Sequence, residues 1–477
     1  MTVTFPRGIV HRSLLSAAII SASGCASVSL TQSLDRTNAQ AVEFTQGKLK
    51  LALTEEQRRE MRANAGILLK QPLSQSEAIE VALSNSPGMQ TLIAQNWANA
   101  ANAAQSGRIA NPVFTFERFR FINELELGRL LSFGLLDLAT LPRRYSVAQR
   151  RIEQAQLQLT TEVIEQITEI RQAWVKAVAA AQSLTYAKQV SEIAEASAEL
   201  ARRMQKVGNF NKLQRARQQA FYADATTQLA LASHAATASR ETLVRALGLT
   251  DEQALQLQIP DRLPDLPKLP RDPKEVGTIA SQERLDVAMA KRSLDVMAQA
   301  QGLNLITSFT DIELAVRRDT VFDNANGSRD VRRGYEVMVR LPIFDWGGMQ
   351  RDAMNAQVLA SANYLESVVR AAGSNLRESY SSYRTSYDVA KHYRDEIVPL
   401  RKLISEENVL RYNGMIIGVF ELLADARDQV NSVIAAINSQ RQFWLSDAAL
   451  QASVLGKPTL MPIGAMAPGM AAGGAGH

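Results

Sequence analysis

Between Pro142 and Pro260 the chain contains no proline and only two glycines, Gly208 and Gly248. Proline and glycine are the residues that cost most inside a helix, so so long a run without them can be helical almost throughout. Its apolar residues recur at Val163, Ile167, Ile170, Trp174, Ala177, Ala181 and Leu184, in alternating steps of four and three, which writes a coiled-coil seam into the first arm. One turn interrupts the run at Val207, Gly208, Asn209, Phe210 and Asn211, where glycine and asparagine tolerate the left-handed geometry of a reversal. The expectation is an antiparallel helical pair starting after Pro142, with arms of roughly 50 to 60 residues, or about 80 to 90 Å each. No compact globular domain has that length. With 21% charged and 6% aromatic residues, the core of such a body must come largely from Ala, Leu, Val and Ile.

The rest of the composition excludes more than it suggests. The net charge is +5, but Lys and Arg are interspersed with Asp and Glu and form no block that reads as a nucleic-acid tail. The four histidines, His11, His234, His392 and His477, are far apart and lack ligand spacing, so neither a zinc site nor a Ser-His-Asp arrangement is expected. The chain reads as a non-enzyme without cofactor or bound metal. Arg7, His11 and Arg12 precede an apolar stretch from Leu14 to Ile20, then Ser21, Ala22, Ser23, Gly24 and Cys25, the layout of a bacterial export signal. The small residues before Cys25 are similar to a lipobox, with Ala22 where that motif usually has leucine. On this reading residues 1–24 are removed and Cys25 carries lipid, and Ala26 permits sorting to the outer membrane. The alternative is an ordinary cleaved signal with an incidental cysteine. A single cysteine allows no disulfide within the chain. Beyond the signal no run of about 18 apolar residues exists, so any membrane crossing would have to use strands.

Taken in order, residues 25–72 read as a polar extended arm with one short helix from Glu55 to Leu69. A first unit, 73–250, opens with Ser74 and Glu77 spaced for a capping box, and its first helix ends near Asn85-Ser86-Pro87. A second helix runs to Ser106-Gly107. The period then falls towards two through Val113 to Glu117 and Leu125 to Gly128, a strand hairpin ending before Pro142, and the long helical pair follows. A proline-rich linker, 251–273, follows, and its stretch from Pro260 to Pro273, with five of the fifteen prolines, is expected not to be helical. A second unit, 274–456, repeats the order. Its helix starts at Glu283 and continues to Gln301, with strands at Ile312 to Arg317 and Gly334 to Leu341 on either side of a polar loop, Asp323 to Ser328. In the last strand Tyr335, Val337, Val339 and Leu341 share one face and Glu336, Met338 and Arg340 the other, which suits lipid on one side and a wet lumen on the other. Helix returns after Gly348, with a break at Pro399 and a turn from Gly414 to Gly418. The tail, 457–477, is Gly, Ala, Pro and Met. The expected class is therefore mainly α with a β-barrel. Four strands cannot close a barrel, which needs about eight or more, whereas three copies supply twelve.

Several stretches carry a resemblance. LSQSEAIEVALSNSPGMQ with its continuation to QSGRIANPVFTFE, ERLDVAMAKRSL, YEVMVRLPIFDWGGMQRDA and RYNGMIIGVFELLADARDQ, in that order and spacing, resemble the outer membrane factor family, the TolC-like channels of tripartite efflux systems. The resemblance covers nearly everything from Leu73 to Gly456. It implies a homotrimer with a twelve-stranded β-barrel in the outer membrane and an α-helical barrel reaching through the periplasm. It also implies a periplasmic adaptor and an inner-membrane pump as partners. A periplasmic coiled-coil adaptor would share the helical hairpins but has no use for the strand at Tyr335.

The candidate sites follow. The two turns, at Gly208, Asn209, Phe210 and Asn211 and at Gly414, Met415 and Gly418, are expected to be the tips that meet the adaptor. Glu421 and Asp425 lie four residues apart and stack on one helix face. By resemblance they are the paired acidic residues that narrow the periplasmic entrance, held closed by nearby Arg411, Tyr412 or Arg427. The last turn is longer than the family pattern, so matching Asp425 places the extra residue between it and Glu421. Met461, Met466, Met470 and His477 are soft ligands suited to Cu(I), although a Met-bearing Gly/Ala tail reads better as plain flexible chain.

Overall fold

The computed structural model describes residues 28–307 and 310–458, apart from the side chains of 281–283 and 304–306. Cys25, the export signal and the tail residues Met461, Met466, Met470 and His477 lie outside the described residues. The order is α1 (Leu30–Gln40), α2 (Val42–Thr45), α3 (Glu55–Leu68), α4 (Gln75–Asn85), α5 (Pro87–Ser106), β1 (Val113–Phe121), β2 (Glu124–Gly134), α6 (Leu135–Lys206), α7 (Lys212–Leu247) and α8 (Asp251–Gln256). It continues with α9 (Pro273–Glu283), α10 (Leu285–Thr307), β3 (Ile312–Asp323), β4 (Ser328–Val339), α11 (Gly348–His392), a π turn (Tyr393–Ile397), α12 (Val398–Asn413) and α13 (Val419–Val454). Among these described helices none is long and apolar enough to cross a membrane.

Two short helices, a strand hairpin, a very long helix and a return helix thus occur twice. The return helices α7 and α13 have 36 residues each. The outgoing arm α6 has 72, so the arms are unequal rather than 50 to 60 residues each. Part of that length comes from its start. The helix begins at Leu135 and carries Pro142 inside it instead of starting there. The proline removes one hydrogen bond, to the carbonyl of Leu138, a residue 55% exposed and open to water. Pro399 likewise fails to break its helix. The five-residue π turn just before it loosens the spiral, and Pro399 sits in the first turn of α12, where a missing N–H costs least.

Two further expectations are corrected. Pro260 to Asp272 is free of helix as expected, but helix α8 lies in the first part of the linker and α9 starts at Pro273, before the expected Glu283: the Asp272 carboxylate accepts from the Lys274 amide at 2.8 Å, and Pro273 fills the first helical position. Helix α9 is the counterpart of α4. The described part of the N-terminal segment, residues 28–72, is largely helical and packed, not extended. Leu34, Phe44 and Leu49 are buried in it, and the Gln90 side chain bridges it by accepting from Ala52 N and donating to Lys50 O. The capping box at Ser74 forms as expected. Hydrogen bonds from the Ser74 hydroxyl and amide hold the Glu77 carboxyl below the ordinary carboxylate range.

By contact the chain divides into two units. One holds residues 28–33, Ala94–Leu159 and Val287–Val369, and contains the four strands. There α6 meets α10 through polar pairs, Arg150 with Asp295 at 3.2 Å, Arg292 with Glu153 at 3.0 Å and Ser146 with Gln299 at 3.1 Å. The other unit holds Leu34–Ile93, Thr160–Asp286 and residues 370–458. Its centre is the middle of α6. Val163, Ile167, Ile170, Trp174 and Ala177 are buried, and Ala181 and Leu184 half-buried. However, Ile164, Ala173, Val175 and Val178 are buried too, so burial spreads well beyond one seam and leaves only a narrow strip with Glu165, Glu169 and Lys176 exposed. The Trp174 indole N–H donates to Leu73 O at 2.8 Å, and Arg171 donates to Glu43 O at 2.6 Å with its guanidinium 4.4 Å above the Phe44 ring.

The proline-rich segment is held by aromatic side chains with polar tips. Tyr387 donates to the carbonyls of Pro267 and Lys268, Trp444 to Pro264 O, and Tyr380 to Arg271 O. Their rings join a buried cluster around Tyr383 and Phe443, and burial pushes the Tyr383 phenol up. The ERLD stretch has a structural task. Arg284 pairs with Asp286 at 2.6 Å and donates to the carbonyls of Ala372 and Ser453, pinning α10 to the end of α13.

Candidate functional site

The four strands form one antiparallel sheet in the order β1-β2-β3-β4. β3 begins at Ile312 as expected but runs on to Asp323. β4 starts at Ser328, six residues before the expected Gly334, and ends at Val339. Register decides which side chains share a face, because residues directly opposite lie on the same side. One face carries the rows Phe133, Leu314, Val337 and Phe114, Leu131, Val316, Tyr335, then a row of Phe116, Arg129, Arg318 and Arg333. It contains no acidic residue. The other face carries Glu117, Glu124, Glu126, Glu313, Asp319, Asp323, Asp330 and Glu336 against only Arg317 and Arg332. Tyr335 is 79% exposed, whereas Ala315 and Asp319 on the acidic face are buried. The sequence reading found this alternation in β4 alone and missed the acidic face. The same period-two pattern in β1 to β3 was the signal, but long polar side chains and a glycine obscured it.

Arg317 is the hub of the acidic face. Its guanidinium reaches Asp319 at 2.8 Å on its own strand, Glu336 at 3.2 Å on β4 and Glu117 at 3.2 Å on β1. The path to β1 crosses β2 at Gly128, where a Cβ would lie 3.2 Å from Glu117 Cβ and 3.3 Å from the Asp319 carboxylate. Any larger residue would crowd the Glu117 and Asp319 side chains that make the crossing. At the sheet margins β1 and β4 have no strand partner on their outer edges among the described residues. Edges of 9 and 12 residues are long for a sheet to leave unpaired.

Within the other unit the two turns come together. The rings of Phe210 and Phe420 lie 4.4 Å apart. In the first turn the Gly208 amide donates to Gln205 O and the Asn209 amide to Met204 O, with Gly208 left-handed at φ 82°. Asn211 then caps α7 in a capping box with Gln214. The second turn repeats this bonding, Met415 N to Tyr412 O and Ile416 N to Arg411 O, but the left-handed residue is Met415, at φ 57° and 93% exposed. Gly414 and Gly418 have ordinary negative φ values. A side chain held left-handed costs about 1 kcal/mol that glycine would not. Met415→Gly is therefore expected to stabilise the protein by about 0.5 to 1 kcal/mol in denaturant unfolding, and a loss of stability would show that the methionine side chain contributes packing.

Glu421 is exposed in the first turn of α13, where the helix dipole favours a carboxylate. Asp425, one turn on, is half-buried, and one of its carboxylate oxygens is enclosed without a hydrogen-bond partner. Arg427 is engaged elsewhere, paired with Asp428 at 3.1 Å and 5.4 Å from the Phe221 ring. Among the described residues no ion pair joins Glu421 or Asp425 to Arg411 or Arg427.

No protein-family model and no curated protein matches the chain. Solved structures do match it in fold. The outer membrane protein VceC from Vibrio cholerae superposes with a TM-score of 0.64 at 15% identity, over 80% of this chain and 96% of that one. The CmeC outer membrane channel of Campylobacter jejuni gives 0.64 at 14%, over 83% and 86%. The open state of the MtrE outer membrane channel of Neisseria gonorrhoeae gives 0.63 at 17%, over 80% and 89%. The chain has the fold of these outer membrane channels.

Proposed function

We propose that this chain is one protomer of an outer-membrane efflux channel, the passive exit duct of a tripartite system. Three copies close twelve strands into a barrel, with the helical hairpins forming a periplasmic tunnel whose tips, at Phe210 and Met415, meet an adaptor that links the duct to an inner-membrane pump. The observation that carries this reading is the sheet: too small to close, unpaired at both edges, apolar on one face and acidic on the other. Pairing β4 of one copy with β1 of the next removes every edge, as a membrane requires. The fold shared with outer membrane channels supports the same arrangement. Fractionation with chemical cross-linking tests it. Outer-membrane trimers are expected, and soluble monomers would instead support a periplasmic adaptor.

The duct favours cations, because its inward-facing strand residues carry eight carboxylates against two guanidinium groups. Heavy-metal ions such as copper and cationic drugs both fit that charge, and growth of a deletion strain on a panel of the two separates them. Glu421 and Asp425 form the periplasmic constriction, two carboxylates per copy on one helix face. Replacing both, as Glu421→Ala with Asp425→Ala, is expected to change single-channel conductance and lower cation preference about two- to threefold in planar bilayers. Identical values for variant and parent would return both residues to ordinary solvated charges.

A further inference from the structure

Three arginines share one row of the otherwise apolar face. Arg129, Arg318 and Arg333 stand directly opposite one another on β2, β3 and β4. Like charges so placed repel at Cβ separations of about 5 Å. The chain knows how to neutralise a guanidinium in this sheet, since Arg317 on the other face is ringed by three carboxylates. Among the described residues none of the outward three has an ion pair or hydrogen bond. Arg118, Arg120 and Arg329 continue the same face towards the β1–β2 and β3–β4 loops.

The height of the row is informative. From Leu341, 66% exposed, to Arg333 an extended chain rises roughly 27 Å, or about 20 Å once tilted by 40°. Exposed Phe344 and Trp346 lie just beyond Leu341. An aromatic margin, an apolar band and then a basic row give the ~25 Å belt of a barrel with arginines at its loop-side edge. That is the level of lipid headgroups in the leaflet facing the loops. We propose that Arg129, Arg318 and Arg333 form a phosphate-binding row for a phosphorylated lipid headgroup of that leaflet. Guanidinium groups bind phosphate in bidentate fashion, and a bound phosphate relieves the repulsion along the row. The inference rests on the sheet being a membrane barrel.

The test uses full-length protein reconstituted in phosphate-free digalactosyldiacylglycerol vesicles with a small fraction of lipid A, either carrying its phosphates or with them removed, and native mass spectrometry of retained lipid. Retention of the phosphorylated form at least tenfold above the dephosphorylated form is expected. The combined variant Arg129→Gln, Arg318→Gln and Arg333→Gln should lose that preference, and Arg332→Gln, on the opposite face, should keep it. Equal retention of both lipids by the parent protein overturns the proposal whether or not the triple variant folds. A preference that survives in a folded triple variant overturns it as well. Insertion into vesicles lacking lipid A is scored separately. Protein that inserts yet ignores the phosphates sinks this inference alone, and protein that does not insert sinks the barrel reading with it.

Discussion

Neutralising three unpaired carboxylates of the acidic sheet face, as Glu126→Gln, Glu313→Gln and Asp330→Asn, is expected to reduce the cation-over-anion permeability ratio of the reconstituted channel about tenfold at low salt. None of the three has an ion pair among the described residues, so the Arg317 hub stays intact and the barrel should assemble normally. Repeated in three copies, the change halves the net negative charge of this face, since three of its eight carboxylates are lost against two unchanged guanidinium groups, and a tenfold ratio corresponds to ~1.4 kcal/mol between a cation and an anion. The screening length is about 30 Å at 0.01 M salt and 3 Å at 1 M. The difference from the parent should therefore shrink as salt rises. Reversal potentials in planar bilayers measure it, and a ratio unmoved at 0.01 M would mean that this face does not line the conduction path.

Arg317→Met should have the largest effect on assembly. The substitution keeps an unbranched apolar stem but leaves Glu117, Asp319 and Glu336 facing one another around a neutral group. Removing one partner of a fully buried network costs 3 to 5 kcal/mol. Here the arginine side chain is 30% exposed, so screening reduces the expectation to about 2 kcal/mol per protomer. The proposed trimer should dissociate at lower temperature on heating in detergent. Adding Glu117→Gln and Glu336→Gln to Arg317→Met should restore much of the loss by removing the repulsion. A variant as heat-resistant as the parent, or one that the two added changes do not rescue, would show that the hub contributes packing rather than charge.

What the residues reveal on their own is local punctuation and period. The Ser74–Glu77 capping box, the stop at Ser86-Pro87, the turn at Gly208 to Asn211 and the alternation in β4 each involve neighbours a few positions apart, and each formed as its chemistry dictates. The twofold recurrence of helices, hairpin and long helix is legible for the same reason. The stretch Asp272-Pro273, with Glu275 in the first turn, carried the start signal of α9, but five prolines in sequence outweighed it.

The tertiary structure decided the rest, where a local preference of a kilocalorie or so meets a larger packing term. Pro142 and Pro399 lie within continuous helical arms because long, packed helices outweigh one lost hydrogen bond and a π turn absorbs the other misfit. A four-three spacing implied a single seam at Trp174, yet segments far off in sequence, such as the one ending at Leu73, widen the buried face well beyond it. Met415 takes a left-handed conformation between two glycines because the bonding of the turn fixes which position reverses, whatever residue occupies it. Register is the extreme case. Arg129 and Arg318 are separated by most of two long helices, and nothing within either strand says that they will stand side by side. Only the pairing of β2 with β3 places them there, because a one-residue slip would send every side chain of a strand to the opposite face.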